Sequence, residues 1–314
     1  LPNNDETAMT RQHLTSPQAA SPQASHQPAQ LKQLLQAPPI VVAPGVFDAL
    51  GASLAEQAGF DTVYLSGASL AYTQLGRPDI GLLSITEICT AMSHIRERTN
   101  LSVVVDCDTG FGNAMNVMRS VRLLERAGAN AIQLEDQTYP KRCGHLRGKT
   151  LVSKSEMVGK LHAALDAREN DSTLIIGRTD ALGVEGTDSA IERAQAYYEA
   201  GVDMLFIEGI RSDDDISKIM TQFKGKVPIM ANMVEGGDTP LQNAQALEAL
   251  GFSLVIFPGA LVRAITHMAS RFFATLKQDG TTDAFRDQML DFKQLNDYLG
   301  TQAMLELGEQ YDNR

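Results

Sequence analysis

Short apolar runs alternate with amphipathic stretches along most of the chain. The runs Ile40–Ala43, Thr62–Ser66, Leu101–Asp106, Ala131–Glu135, Thr173–Arg178, Met204–Glu208, Val227–Asn232 and Leu254–Phe257 are rich in β-branched residues and largely non-alternating, as strands buried on both faces should be. Between them lie helical patterns, for example Ser153–Arg168, Asp188–Ala200 and Pro240–Leu250. Ser153 with Glu156 has the capping-box spacing. Thr239 before Pro240 reads as an N-cap and first helical residue. Gly128, Gly201 and Gly251 stand where left-handed C-caps are wanted.

Eight parallel strands with intervening helices predict an α/β fold of the (β/α)8 TIM-barrel type. An open doubly wound sheet is the alternative, but it carries a glycine fingerprint after its first strand, and Pro44-Gly45-Val46-Phe47-Asp48 lacks it. Residues 1–28, rich in Gln, Ser, Pro and Ala without an apolar period, read as a disordered tail. A short amphipathic piece, Leu31–Leu35, leads into the barrel, which is expected over 29–280. Two more helical patterns, Asp283–Leu299 and Thr301–Tyr311, make 281–314 a C-terminal helical extension. They exceed what a closed barrel needs and suggest packing on a partner subunit.

Of the 314 residues, 43% are apolar and 21% charged, which fits a soluble globular protein. The apolar runs are far too short to span a bilayer. A net charge of −11 disfavours nucleic acid or an anionic membrane as partner, since both need a positive field. It leaves room for a small anionic substrate, provided local cations hold it. Three cysteines form no disulfide framework, and no signal pattern is evident, so a cytoplasmic setting is expected.

Polar residues interrupt the apolar runs at the C-terminal ends of the strands, where barrel active sites are built. They are Ser66-Gly67, Asp106 and Asp108, Glu135-Asp136, Arg178-Thr179-Asp180, Glu208 and Asn232. Asp106 and Asp108 are two apart, so on a strand both point one way and Cys107 the other. Carboxylates forced together want a cation between them. With Glu135 as a third, the all-oxygen set suits Mg²⁺ or Mn²⁺, through bridging waters, better than zinc. The alternative is that these acids cap the helices that follow. Arg178 is suited to clamping a carboxylate through two hydrogen bonds, or else pairs with Asp180 or Glu208. In the loop Pro140–His145, Lys141, Arg142 and His145 surround Cys143 with positive charge, and Gly144 allows a sharp bend. Nearby cations lower a thiol's pKa and would make Cys143 a proton-transfer group near neutral pH. A nucleophilic cysteine is the competing role, but no paired Cys–His–Asn order is evident. Cys89 and Cys107 read as small buried apolar residues.

These motifs resemble the isocitrate lyase/phosphoenolpyruvate mutase superfamily over about residues 30–312. The matching stretches are Ser66-Gly67, Leu75-Gly76-Arg77-Pro78-Asp79, Asp106-Cys107-Asp108-Thr109-Gly110-Phe111-Gly112, Leu134-Glu135-Asp136-Gln137, Lys141-Arg142-Cys143-Gly144-His145, Arg178-Thr179-Asp180-Ala181 and Asn232-Met233-Val234-Glu235-Gly236-Gly237. The cysteine loop resembles that of the carbon–carbon lyase branch. Ala181–Ala200 looks like the 2-methylisocitrate lyases and Asn232–Pro240 like the 2,3-dimethylmalate lyases.

The resemblance implies a Mg²⁺-dependent retro-aldol cleavage of a 2-hydroxy di- or tricarboxylate to pyruvate, or a related 2-oxoacid, and a carboxylate. Asp106 would bind the metal directly and Asp79, Asp108 and Glu135 through water. The amides of Ser66, Gly67 and Ala68 would grip the α-carboxylate. Tyr64, Gly144, Glu208, Asn232 and Glu235 would complete the substrate site. Cys143 would protonate the enediolate, with Lys141, His145 and Arg178 as its catalytic partners, under a loop that closes. The resemblance also implies a homotetramer, a dimer of dimers with a helix swapped between barrels. Alternatives within the superfamily are an oxaloacetate hydrolase or decarboxylase and a phosphonopyruvate-type P–C enzyme. A non-catalytic barrel is the alternative outside it.

Overall fold

A computed structural model describes residues 29–237 and 239–312; the stretch 1–28, read as a tail, lies outside the described residues. Eight strands close into one parallel barrel in chain order. They are β1 (Val41–Val46), β2 (Thr62–Leu65), β3 (Ser102–Asp106), β4 (Ala131–Glu135), β5 (Leu174–Thr179), β6 (Met204–Ile207), β7 (Ile229–Asn232) and β8 (Leu254–Phe257). β1 and β8 complete the closure in the register Val41↔Leu254 to Pro44↔Phe257. The helices are α1 (Ala29–Leu34), α2 (Ala49–Gln57), α3 (Gly67–Leu70), α4 (Ile85–Arg98), α5 (Ala114–Ala127), α6 (Lys154–Ala167), α7 (Ala181–Val184), α8 (Thr187–Ala200), α9 (Asp213–Phe223), α10 (Ala244–Leu250), α11 (Ala260–Asp279), α12 (Phe292–Leu299) and α13 (Thr301–Asp312).

The non-alternating strands have the expected consequence: two apolar layers, one on each side of the sheet. The outer layer joins strand residues such as Val63, Val105 and Ile175 to helix residues such as Ile88, Leu124 and Leu161. The inner layer fills the barrel with Val41, Ala43, Val104, Ile176, Met204, Phe206 and Leu254. Leu31 and Leu35, in and just after α1, join that inner layer beside strand-start residues. The short amphipathic piece therefore plugs the N-terminal end of the barrel, opposite the strand ends that carry the polar residues.

Gly128, Gly201 and Gly251 take left-handed φ values of 98°, 96° and 116° at helix C-caps, as their positions predicted. Ser153 caps α6 by accepting from the Glu156 amide at 3.1 Å. Two readings are corrected. β1 runs on through Pro44 and Gly45 to Val46, so most of the segment read as the first loop is strand. Gly45 is required there by close approach, since a Cβ would lie 2.1 Å from the Pro258 carbonyl oxygen. α10 begins at Ala244 instead of Pro240, because Asn243 supplies the cap, accepting from the Ala246 amide at 2.9 Å.

Backbone packing divides the described residues into a unit that ends at Ala269 and one that begins at Ser270, within α11. In the second unit Phe272 packs edge-on against Phe285, which is buried. The single helix predicted over Asp283–Leu299 is broken. A 3₁₀ turn over Asp283–Gln288 comes first, and Asp291 then opens α12 with a capping box shared with Gln294. No helix among the described residues is long and apolar enough to cross a membrane.

Candidate active site

The strand ends converge as predicted, but they form two unlike halves. On the β2–β4 side, β3 stops at Asp106 and the chain turns through Asp108, whose φ is 45°. Asp108 thus reaches the mouth by a left-handed turn, not by the strand pleat; Asp tolerates this region better than most residues. Cys107 points into the outer apolar layer. Lys141 enters from the cysteine loop, with its Nζ 2.6 Å from Asp79 and 2.8 Å from Asp108. Four buried carboxylates, Asp79, Asp106, Asp108 and Glu135, therefore face one buried ammonium. The consequences follow from desolvation. Burial lifts Asp108 to about 7 against the pull of Lys141. Burial also pushes Glu135 well above the carboxylate range, against Arg178 and Lys141. The four acids outweigh the burial of Lys141 and hold its pKa well above the usual value.

A hard, oxygen-liganded cation fits this half. Both Glu135 oxygens are buried without a hydrogen bond, the condition a further positive group would relieve. Gly67, at the start of α3, lies so close that a Cβ would sit 3.2 Å from Asp106 Oδ2 and 3.5 Å from Asp108 Oδ1. Among the described residues no three acidic, His or Cys side chains converge tightly enough to hold an ion by themselves. The helix-capping alternative fails for these acids, since α5 is capped by Asn113 and α6 by Ser153.

On the β5–β6 side the charges are matched. Arg178 donates to Asp180 from Nε (2.9 Å) and Nη2 (3.2 Å), with Glu135 at 3.4 Å and Glu208 at 3.7 Å. Its guanidinium also lies 5.0 Å above the Phe206 ring. Lys149 adds a second cation 2.9 Å from Asp180. Burial would raise Asp180, but Arg178 and then Lys149 outweigh it and hold the carboxyl at about 2. Beneath, Asp136 accepts from Thr179 Oγ1 (2.7 Å), the Asp180 amide (2.9 Å) and Tyr197 OH (2.7 Å), with Arg193 at 3.3 Å. The ion-pair and carboxylate-clamp readings of Arg178 are thus compatible, because Nη1 makes no hydrogen bond among the described residues.

The cysteine loop lies across the two halves. The Cys143 amide donates to the Asp79 carbonyl at 3.1 Å, and Tyr139 OH donates to the Gly81 carbonyl at 3.0 Å. Gly144 lies against Arg178 and Glu208, where a Cβ would be 2.7 Å from each. Gly144 is therefore needed for close approach; the left-handed bend belongs to Gly148, at φ 78°. The expected lowering of the Cys143 pKa is corrected. Burial pushes the thiol up, and the His145 amide, Lys141 and Arg178 only moderate this. Lys141 is held between two acids, and Arg142 turns outward to the Arg147 carbonyl at 2.9 Å. A thiol that stays protonated suits an acid better than a nucleophile.

The other predicted residues divide. Tyr64 is buried in the barrel with its OH donating to Gln133 Oε1 at 3.0 Å. Ser66 caps α3, accepting from the Ser69 amide at 3.2 Å. Asn232 donates to Glu208 Oε2 at 2.9 Å, and His145 Nε2 lies 3.7 Å from Glu208 Oε1. These residues and Ala68 line one small cavity of about 60 Å³ with Tyr72, Asp79, Asp106, Lys141, Cys143 and Arg178. Glu235 does not join them: it is exposed and pairs with Arg263, and Arg263 is the residue on the cavity wall. Tyr72, Gln133, Lys149, Asp180 and Arg263 were missed as site residues. Asp180 stood in a quoted motif; the others carry no spacing signal.

Closed parallel barrels carry their active sites at this end of their strands, and the chain has that architecture. It belongs to the phosphoenolpyruvate phosphomutase family, whose model matches residues 31–277. It is 44% identical over 90% of its length to a 2,3-dimethylmalate lyase from Eubacterium barkeri, covering 97% of that protein. It is 43% identical over 86% of its length to a 2-methylisocitrate lyase from Aeropyrum pernix, covering 86% of that protein. Among solved structures it matches a 2,3-dimethylmalate lyase (TM-score 0.85, 32% identity, 91% of this chain and 96% of that one). It also matches an oxaloacetate acetylhydrolase with 3,3-difluorooxalacetate (0.85, 29%, 91% and 98%) and a phosphonopyruvate hydrolase with oxalate and Mg²⁺ (0.82, 30%, 91% and 99%). With lyases at this identity over most of its length, the chain is an enzyme of the lyase type.

Proposed function

We propose that this enzyme is a Mg²⁺-dependent carbon–carbon lyase that cleaves a 2-hydroxy di- or tricarboxylate, a 2,3-dialkylmalate or 2-methylisocitrate, to pyruvate and a carboxylate. The observation that carries the proposal is the placement of Cys143 on one small cavity, with Asp79 and Asp106 of the acid-rich half and Arg178 and Glu208 of the matched half. Asp106 would hold the metal directly, with Asp79, Asp108 and Glu135 reaching it through water. Mg²⁺, or Mn²⁺ in its place, would supply the charge that neutralises these acids and would polarise the substrate's 2-hydroxyl. The Ser66, Gly67 and Ala68 amides bind the α-carboxylate. Arg178, backed by Asp180, and His145 hold the far carboxylate, where negative charge grows as the C2–C3 bond breaks. Loss of the hydroxyl proton makes C2 a carbonyl, the C2–C3 electron pair passes into an enediolate, and Cys143 delivers its proton to carbon. Tyr64, Gly144, Glu208 and Asn232 shape the substrate site, and Lys141 neutralises the acids nearest the thiol.

The 2,3-dimethylmalate and 2-methylisocitrate lyase relatives favour this substrate class. The likeness to an oxaloacetate acetylhydrolase favours a second reading, hydrolysis of oxaloacetate. An assay with Mg²⁺ over 2,3-dimethylmalate, 2-methylisocitrate, oxaloacetate and phosphonopyruvate tests both. Pyruvate from either hydroxy acid supports the lyase; oxalate and acetate from oxaloacetate alone would replace it with the hydrolase. A homotetramer is proposed with it: α12 and α13 leave Phe292 87% and Met304 72% exposed, as a surface covered by a second copy would be. The three unpaired cysteines fit a cytoplasmic setting.

A further inference from the structure

The lid over the barrel mouth has a fixed base and a tip pressed onto charged groups. At its base Gln137 bridges Leu151, and the Thr138 amide donates to the Thr150 carbonyl at 2.8 Å. The Gln137 side chain holds Arg142 from both sides, accepting from its amide at 2.9 Å and donating to its carbonyl at 2.8 Å. At the tip, the Gly144 backbone sits against Arg178 and Glu208 with no room for a side chain. One buried side chain spans base and tip. Lys149, only 7% exposed, donates to the Gly144 carbonyl and, at 2.9 Å, to Asp180 Oδ1.

Asp180 is an immovable anchor for such a contact, because Asp136 holds its amide from below and Arg178 holds its carboxylate from the side. We propose that Lys149 is a positioning residue that latches the cysteine loop shut, tying the Gly144 carbonyl to the carboxylate that orients Arg178. Lid closure and clamp geometry are then set by one ammonium. With the loop down, Lys149 shares the Asp180 charge with Arg178; with the loop raised, Arg178 keeps Asp180 alone and the Gly144 carbonyl loses its donor. Both contacts of Lys149 are charge-assisted, the stronger kind of hydrogen bond. A closed lid keeps water from a reactive carbanionic species. This role rests on Cys143 being the working thiol of the site, but its test needs no substrate.

The test is the alkylation rate of Cys143 by iodoacetamide, read by peptide mass spectrometry, in the full-length chain and its Lys149→Met and Lys149→Arg variants. Removing a nearby cation cannot by itself speed thiolate chemistry, so faster labelling reports an opened lid. The expected result is on the order of ten-fold faster labelling in Lys149→Met, with Lys149→Arg close to wild type. Turnover of any accepted substrate should fall in Lys149→Met and recover in Lys149→Arg. Wild-type labelling rates in Lys149→Met would overturn the proposal, as would a Lys149→Arg variant that labels as fast as Lys149→Met. Should Lys149→Met fail to fold, hydrogen exchange in the wild-type chain decides. The Leu146 amide, which donates to the Cys143 carbonyl at 2.8 Å, should exchange slowly, and solvent-rate exchange would sink the latch. A chain that cleaves no hydroxy acid but labels as expected would refute the proposed reaction and leave the latch standing.

Discussion

Asp108 and Asp180 both follow a barrel strand, both are buried, and both lie beside a lysine from the same loop. Yet one carboxyl is lifted to about 7 and the other held at about 2. The difference lies in the company each keeps. Asp180 touches two cations, Arg178 and Lys149, whereas Asp108 shares its one, Lys141, with Asp79 and stands near Asp106. Desolvation penalises both charges; only matched partners reverse its sign. One half of the mouth is thus matched in charge as it stands. The other is short of positive charge, which a bound cation would supply.

The comparison can be broken most sharply at its matched half. Asp180→Asn leaves Arg178 and Lys149 buried with half their partnership, and is expected to cost about 3–5 kcal/mol in unfolding free energy. A change below about 1 kcal/mol by denaturant titration would mean the half is not matched. In the acid-rich half, Asp106→Ala should weaken Mg²⁺ by more than about 100-fold, beyond what loss of an outer-shell partner costs. Calorimetry showing unchanged affinity would remove Asp106 as a direct ligand. Asp108→Asn should have the opposite sign from Asp180→Asn. Without metal it relieves a crowded charge and should raise the unfolding midpoint at pH 8 by about 2 °C. A lowered midpoint would show that the pairing with Lys141 dominates.

The smallest effect is in the pH dependence. A carboxyl whose folded pKa is raised to about 7 takes up a proton on folding, so metal-free stability should decline as pH climbs from about 4 through 7 on account of Asp108. Asp180, held at about 2, contributes stability above about pH 4 that is lost as pH falls toward 2. Saturating Mg²⁺ should flatten the first slope and leave the second; equal slopes with and without metal would contradict the assignment of halves.

The barrel was legible because its strands are short, β-branched and buried on both faces, and because caps such as Gly128 and Gly201 punctuate them. The convergence of Asp106, Glu135, Arg178 and Glu208 followed from strand-end position alone. Sign was harder to read than position. Lys141, Arg142 and His145 are neighbours of Cys143 in sequence, but two of the three charges face elsewhere, Lys141 to Asp79 and Asp108, Arg142 to a carbonyl. Charge counted along a loop does not give the field at one atom of it. Glu235 lies off the cavity wall because its partner, Arg263, comes from α11, a pairing across 28 positions that no local pattern announces. Lys149 was invisible for the same reason: its role depends on Asp180, 31 positions away.

The central claim is that Cys143 is the acid of a lyase assembled between these halves. It is tested most directly by Cys143→Ser with saturating Mg²⁺, measuring pyruvate formation from 2,3-dimethylmalate or 2-methylisocitrate beside oxalate affinity. The account predicts a fall in kcat of roughly 10²–10⁴-fold with oxalate and Mg²⁺ binding unchanged. A Cys143→Ser enzyme that forms pyruvate at the wild-type rate would contradict it.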